Sequence, residues 1–184
     1  MNIETEHKFL ICMPDAQRLK DLDTSEITQT YLTSDNGTER VRAREKNGTV
    51  TYTHTVKLRI SELSSEEYER EITRDEYELL LTRKGKGRVI QKTRTLLPYD
   101  GHMFEIDIYP FWSRIAVMEL EVESEDEEFT LPEGISVIRE VTGDKRFSNH
   151  ALSRAVPDEN NLIEDAADRT EYIDMESVNG DSDS

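Results

Sequence analysis

Charged residues of one sign recur at alternate positions along this chain: Glu4/Glu6, Arg40/Arg42, Glu69/Glu71, Lys92/Arg94, Glu105/Asp107 and Glu119/Glu121. In a β-strand, residues two apart share a face, so each pair would project from one side of a strand. Taken one strand at a time, such charges fit the solvated face of an ordinary antiparallel sheet. Taken together they say more, because like charges on one strand face repel and a sheet gains nothing from them. They make sense if each pair grips something of opposite sign. Paired carboxylates suit a hard divalent cation, and paired Arg and Lys suit phosphate oxygens. Both sets on one continuous face point to a metal–polyphosphate complex held inside a closed or nearly closed barrel.

The elements that must carry these pairs can be placed in chain order. Ile3–Leu10 reads as a first strand with Glu4, Glu6 and Lys8 on one face and Ile3, Thr5, His7 and Phe9 on the other. Met13–Asp21 reads as a short helix, with Pro14 and Asp15 suited to its start. Ile27–Thr33, Thr38–Arg44 and Thr49–Leu58 form a meander whose turns are marked by Asn36-Gly37 and Asn47-Gly48. Glu66–Thr73 alternates again, and Thr73-Arg74-Asp75-Glu76 spells a capping box that starts a helix carrying Tyr77, Leu79, Leu80 and Leu81. Arg88–Leu96, Met103–Tyr109 and Ile115–Glu123 complete the strands. Two late helices are expected, one around Ser124–Glu128 and one over Lys145–Ala155. His7 and His54 fall on the apolar side of their strands and read as structural. The fold class is therefore mainly β (α+β), with few helices for so many strands. Part of the apolar outer face is left for a partner subunit, which would make a homodimer.

Composition narrows the function. The chain has 184 residues and a formal net charge of −17, which disfavours a general binder of nucleic acid or of an anionic membrane. Its one cysteine, Cys12, excludes an intrachain disulfide and a Cys-rich zinc site. No apolar run approaches the roughly 18 residues of a membrane span, and the N-terminus lacks a signal-peptide layout. A cytoplasmic protein is the expectation. From about Pro157 the sequence is rich in Asp, Glu, Asn and Ser, so domain 1–155 is expected to be followed by an acidic, disordered tail over 156–184.

The paired charges, read in order, resemble the CYTH superfamily, the triphosphate tunnel metalloenzymes. Glu4-x-Glu6-x-Lys8 is similar to the family's ExExK signature, and Arg40-Val41-Arg42, Lys57, Lys92-Thr93-Arg94, Phe104-Glu105-Ile106-Asp107 and Glu119-Leu120-Glu121 follow in sequence. The series closes with Glu140–Phe147 and resembles the short, single-domain bacterial members. The resemblance implies an eight-stranded antiparallel tunnel barrel that binds triphosphate-containing substrates with Mg²⁺ or Mn²⁺. It implies that Lys8, Arg40, Arg42, Lys57 and Arg94 bind phosphate, with Lys145 and Arg146 adding contacts at the mouth. It implies that Glu4, Glu6, Glu119 and Glu121 hold metal, that Glu105 and Asp107 help at a second metal or through water, and that Glu69 lines the tunnel. Lys92 and Tyr31 match the positions thought to activate water; a lysine in a cationic cluster has a lowered pKa and can act as a base.

The expected activity is metal-dependent hydrolysis of a triphosphate, with inorganic tripolyphosphate the preferred substrate. Nucleoside or thiamine triphosphates are alternative substrates. A class IV-type adenylyl cyclase keeps the fold and changes the reaction, although no base-recognising cluster stands out. A non-enzymatic binder of polyphosphate or nucleotides is disfavoured, because an anion binder gains nothing from so many paired carboxylates.

Overall fold

The computed structural model describes residues 2–167. Its strands are β1 (Asn2–Cys12), β2 (Asp23–Tyr31), β3 (Thr38–Lys46), β4 (Thr49–Arg59), β5 (Ser64–Ile72), β6 (Ile90–Tyr99), β7 (His102–Ile108), β8 (Ile115–Val122) and β9 (Val137–Glu140). The helices are α1 (Ala16–Leu19), α2 (Arg74–Leu81) and α3 (Asn149–Arg154), with a 3₁₀ turn over Lys145–Phe147 and a helical stretch at 159–167.

The hydrogen-bonded order is β5-β4-β3-β2-β6-β7-β8-β1, and β1 closes the ring by pairing with both β8 and β5. All these pairings are antiparallel, giving an eight-stranded closed barrel with β9 as an extra strand on β1. Local chemistry agrees with this path. Asn47 and Gly48 both take positive φ, as a two-residue hairpin turn requires, and Asp100 with Gly101 does the same between β6 and β7. The capping box at α2 is formed: the Thr73 hydroxyl accepts from the Glu76 amide, and the Glu76 carboxylate accepts from the Thr73 amide.

Apolar residues form three clusters. One covers the outside of β1, β7 and β8 and includes Phe9, Phe104, Met118 and Leu120, packed under α1 and Phe129. A second joins Val41 and Ile72 to Tyr77 and Leu80 of α2. The third lies on the inward parity. Leu10 follows Glu4, Glu6 and Lys8 on β1, and Val117 precedes Glu119 and Glu121 on β8. They meet Tyr109, Trp112, Leu152 and Leu162. The barrel interior is thus charged over most of its length and plugged with apolar side chains at the end where β1 finishes and β8 starts.

Three expectations change. Residues 124–128 form turns rather than a helix. Their carboxylates are drawn into tertiary contacts: Glu125 accepts from Ser61 and Ser64, and Glu127 from the Glu123 amide and pairs with His102. The four-residue strand β9 was not expected. The tail was expected from residue 156, yet 156–167 pack on the barrel. Leu162 is buried against the plug, Trp112 Nε1 donates to the Pro157 carbonyl, and Glu159 accepts from the Ser113 and Arg114 amides. The remainder of the expected tail, 168–184, lies outside the described residues. No helix among the described residues is long and apolar enough to cross a membrane.

Candidate functional site

The inward faces of the strands enclose a cavity of about 420 Å³. Its acidic wall is Glu4, Glu6, Glu69, Glu105, Glu119 and Glu121, and its basic wall includes Lys8, Arg40, Arg42, Lys57 and Arg94, with Tyr31 among them. Strand register explains the convergence, since Glu6 lies across from Glu121, Lys8 from Glu119 and Glu105 from Glu119. The period-2 charge pairs therefore meet in one space.

The charges divide into two kinds. The first is tightly neutralised. Lys8 Nζ lies 3.2 Å from Glu119, and Arg94 lies 3.2 Å from the same carboxylate while also pairing with Glu105. Arg94 forks onto Asp107 with two hydrogen bonds of 2.7 Å, and Lys92 Nζ donates to Asp107 at 2.6 Å. Burial disfavours the charge on Glu119, yet Lys8, Arg94 and Lys92 outweigh it and hold the carboxyl well below its ordinary range. The same contest, won by Arg94 and Lys92, lowers Asp107.

The second kind is incompletely neutralised, and burial outweighs what cationic partners it has. Burial raises Glu121, and the neighbouring carboxylates of Glu4 and Glu6 push it in the same direction. Burial and Glu67 raise Glu4, although Lys57 lies 3.2 Å away. Burial also raises Glu105. On the basic side, burial and the crowd of Arg40, Arg94 and Arg44 bring Arg42 down to about 10. Arg42 is bonded to the side-chain oxygen of Gln29, a neutral partner. These carboxylates call for a cation, and this arginine calls for an anion.

Among the described residues no three His, Cys, Asp or Glu side chains are arranged to hold a metal ion on their own. The donor chemistry nevertheless fits a hard cation. Glu4, Glu6 and Glu121 are all-oxygen donors that repel one another. Mg²⁺ needs only one or two carboxylates when water and substrate phosphates complete its shell.

Four expected site residues stand outside the cavity wall. Asp107 and Lys92 are fully buried behind it, their side chains 0% exposed and bonded to each other. Asp107 is thereby occupied as the counter-ion of Lys92 and Arg94 rather than presented to a metal. Arg146 is turned outward, forked onto Asp144 and stacked on Phe147, and Lys145 is exposed beside it. Burial and Arg94 lower the Lys92 ammonium to about 8, against the opposing pull of Asp107. Tyr31 and Lys92 have separate partners: the Tyr31 hydroxyl accepts from Gln29 Nε2 at 2.6 Å.

Glu67, Arg44 and Arg59 also line the cavity and are not among the residues expected there from the sequence. Glu67 pairs with Arg40 at 3.7 Å and with Lys57 at 3.6 Å. The signal was present: Glu67 shares parity with Glu69, and Arg44 with Arg40 and Arg42. Arg59 follows Lys57 in the same way.

Comparison with known proteins agrees with this geometry. The CYTH domain matches residues 2–145. A protein named inorganic triphosphatase from Nitrosomonas europaea is 36% identical over 160 residues, which cover 84% of this chain and 99% of that protein. The crystal structure of the inorganic triphosphatase NE1496 has 31% sequence identity and a TM-score of 0.53, covering 86% of this chain and 99% of that one. A conserved hypothetical protein from Pyrococcus furiosus, at 19% identity and a TM-score of 0.52, covers 67% of this chain and 80% of its own, and shares the fold. The chain belongs to the CYTH domain family.

Proposed function

We propose that the protein hydrolyses triphosphates, inorganic tripolyphosphate first among them, with a divalent cation, Mg²⁺ or Mn²⁺. The observation that carries this reading is an excess of carboxylates over cationic partners on one side of the cavity beside an arginine without an acidic partner. Glu121 has no cationic partner among the described residues, Glu4 and Glu6 share Lys57 and Lys8 with Glu67 and Glu119, Arg42 lacks an anion, and a metal–polyphosphate complex supplies both charges. The similarity to the Nitrosomonas europaea triphosphatase supports the same chemistry.

In this reading Arg40, Arg42, Lys57 and Arg94 bind phosphate oxygens and stabilise charge on the transferred phosphoryl group and on the leaving pyrophosphate. Lys8 holds Glu119 in place. Glu4, Glu6 and Glu121 hold the cation, which when bound screens the phosphate charge and helps bring water to the phosphorus. Asp107 keeps Arg94 and Lys92 in position from behind. We assign uptake of the water proton to Lys92, whose lowered pKa suits a base near neutral pH once it exchanges its bond to Asp107 for one to a water, and orientation at the wall to Tyr31. The protein would act on small triphosphates in a soluble compartment, without nucleic acid or membrane.

Adenylyl cyclase activity is the second reading. The wall's aromatic side chains, Tyr31 and His150, pack edge to face on each other at 5.1 Å rather than standing open for a nucleobase, and many of its other uncharged side chains are Thr and Ser. Phosphorus NMR of reactions with tripolyphosphate and with ATP separates the two. Hydrolysis gives pyrophosphate and orthophosphate from tripolyphosphate. ATP converted to cyclic AMP and pyrophosphate, with tripolyphosphate left intact, would overturn the triphosphatase reading.

A further inference from the structure

We propose that Gln29 is a positioning residue: bonded to both Arg42 and Tyr31, it forces the Tyr31 hydroxyl to donate a hydrogen bond to a phosphate oxygen of the substrate. This rests on the triphosphatase reading of the same cavity. Gln29 is fully buried on β2. It lies across from Arg42 in the β2–β3 register, as Tyr31 lies across from Arg40. Tyr31, Arg40 and Arg42 line the cavity, while Gln29 does not reach its surface.

Donors and acceptors leave one arrangement. A guanidinium carries only donors, so the Gln29 amide must turn its oxygen to Arg42. That oxygen accepts from Arg42 Nε at 3.2 Å and from a terminal guanidinium nitrogen at 3.1 Å. The amide nitrogen then faces Tyr31 and donates to its hydroxyl oxygen at 2.6 Å. The phenol accepts at its oxygen, so its own proton must point elsewhere. No side chain among the described residues accepts that proton. The ring is braced by His150, whose centroid lies 5.1 Å away at an interplanar angle of 68°. Tyr31 lines the cavity across from Arg40, so a phosphate oxygen held by Arg40 is the acceptor that the geometry calls for. The hydroxyl keeps its proton and only shares it. The neutrality of Gln29 matters equally. A glutamate of the same shape would accept the Tyr31 proton and neutralise Arg42, and both groups would be spent before substrate arrives. The amide holds Arg42 without cancelling its charge.

The test is a double-mutant cycle of Gln29→Glu and Tyr31→Phe, read as kcat/KM for tripolyphosphate with Mg²⁺ and as tripolyphosphate binding by calorimetry. A hydrogen bond to a charged oxygen leads us to expect about a 10–100-fold loss of kcat/KM in Tyr31→Phe. Gln29→Glu should lose at least as much, because it also neutralises Arg42. Adding Tyr31→Phe to Gln29→Glu should cost less than about 3-fold more. Losses that multiply, as general damage to the wall would produce, would overturn the proposal, and so would full activity in Gln29→Glu. Proton NMR of the Gln29 side-chain amide tests the arrangement without turnover and without altering Gln29. Tyr31→Phe should move one amide proton upfield, the mark of a lost hydrogen bond, and unmoved resonances would overturn the orientation. If tripolyphosphate binds but is not hydrolysed, the triphosphatase reading has failed on its own, and calorimetry decides the role of Gln29. Tyr31→Phe should then weaken binding about 10-fold in wild type and leave Gln29→Glu unchanged. Equal effects in both backgrounds, or no binding to wild type, would refute it.

Discussion

Asp107→Asn is the substitution whose consequence follows most directly from the structure. The carboxylate is fully buried, accepts two bonds of 2.7 Å from Arg94 and one of 2.6 Å from Lys92, and has no exposed surface. The amide keeps the shape but removes the charge, so two buried cations lose their common counter-ion. Breaking a buried pair from one side costs about 3–5 kcal/mol. Glu119 still reaches Arg94 at 3.2 Å, and Lys92 can relieve itself by losing its proton, so the lower part of that range applies. At about 2–4 °C per kcal/mol for a domain of this size, the melting temperature should fall by about 6–12 °C. Thermal and urea unfolding, each with chelator and with Mg²⁺, measure it. The account requires the same loss in both conditions, because Asp107 serves the arginine and lysine rather than a metal. A loss below about 1 kcal/mol without metal, growing only when Mg²⁺ is present, would refute the reasoning and restore Asp107 as a metal ligand.

Four further outcomes are expected. Arg42→Gln removes a charge-assisted phosphate contact of about 1.5–3 kcal/mol and should raise KM for tripolyphosphate about 10–100-fold, while relieving the repulsion from Arg40 and Arg94; steady-state kinetics and unfolding read both effects. Glu121→Gln should raise the melting temperature of the metal-free protein. Its carboxyl is raised in the fold, so the folded state binds more protons than the unfolded one, and its penalty is present above the folded pKa and relieved as pH falls. The gain should shrink toward pH 4, which a melting series with pH tests. If Lys92 takes the water proton, kcat should rise with pH through about 8, and Lys92→Met should abolish that limb; a profile flat between pH 6 and 9 would remove Lys92 from the role. Leu162→Ala should cost about 2–5 kcal/mol, because Leu162 is buried in the plug, whereas Leu79→Ala at a largely exposed position should cost little; equal effects in urea unfolding would contradict the packing of 156–167.

Much of the fold was legible because two signals are local. The period-2 charges of Glu4/Glu6, Arg40/Arg42 and Glu119/Glu121 state which strand face points inward, and Asn47-Gly48 and the Thr73–Glu76 box state where elements turn or begin. Parity states the face but not the depth. Lys92 and Arg94 look alike in sequence, yet Arg94 reaches the cavity and Lys92 is sealed behind it against Asp107. The same limit explains Arg44 and Glu67, whose roles depend on where the strand enters the barrel. Residues 124–128 read as a helix because their hydrogen-bond partners, Ser61, Ser64 and His102, are distant in sequence. The helical stretch 159–167 was hidden by its acidic composition, since Leu162 and Ile163 are few among many charges and find Trp112 only in the folded chain. Arg146 looked like a phosphate ligand, but Asp144 two residues earlier captures it locally.

The central claim is that one cavity binds a cation and a polyphosphate together, each neutralising charge that the protein's own ion pairs leave in excess. The most direct measurement is the rate of orthophosphate release from tripolyphosphate as Mg²⁺ is titrated, for wild type and Glu6→Gln, with chelator as the zero point. The account predicts no turnover in chelator, a rate that saturates with Mg²⁺ in wild type, and a strongly reduced rate in Glu6→Gln that higher Mg²⁺ partly restores. Full turnover in chelator, or a Glu6→Gln curve that overlays wild type, would contradict it.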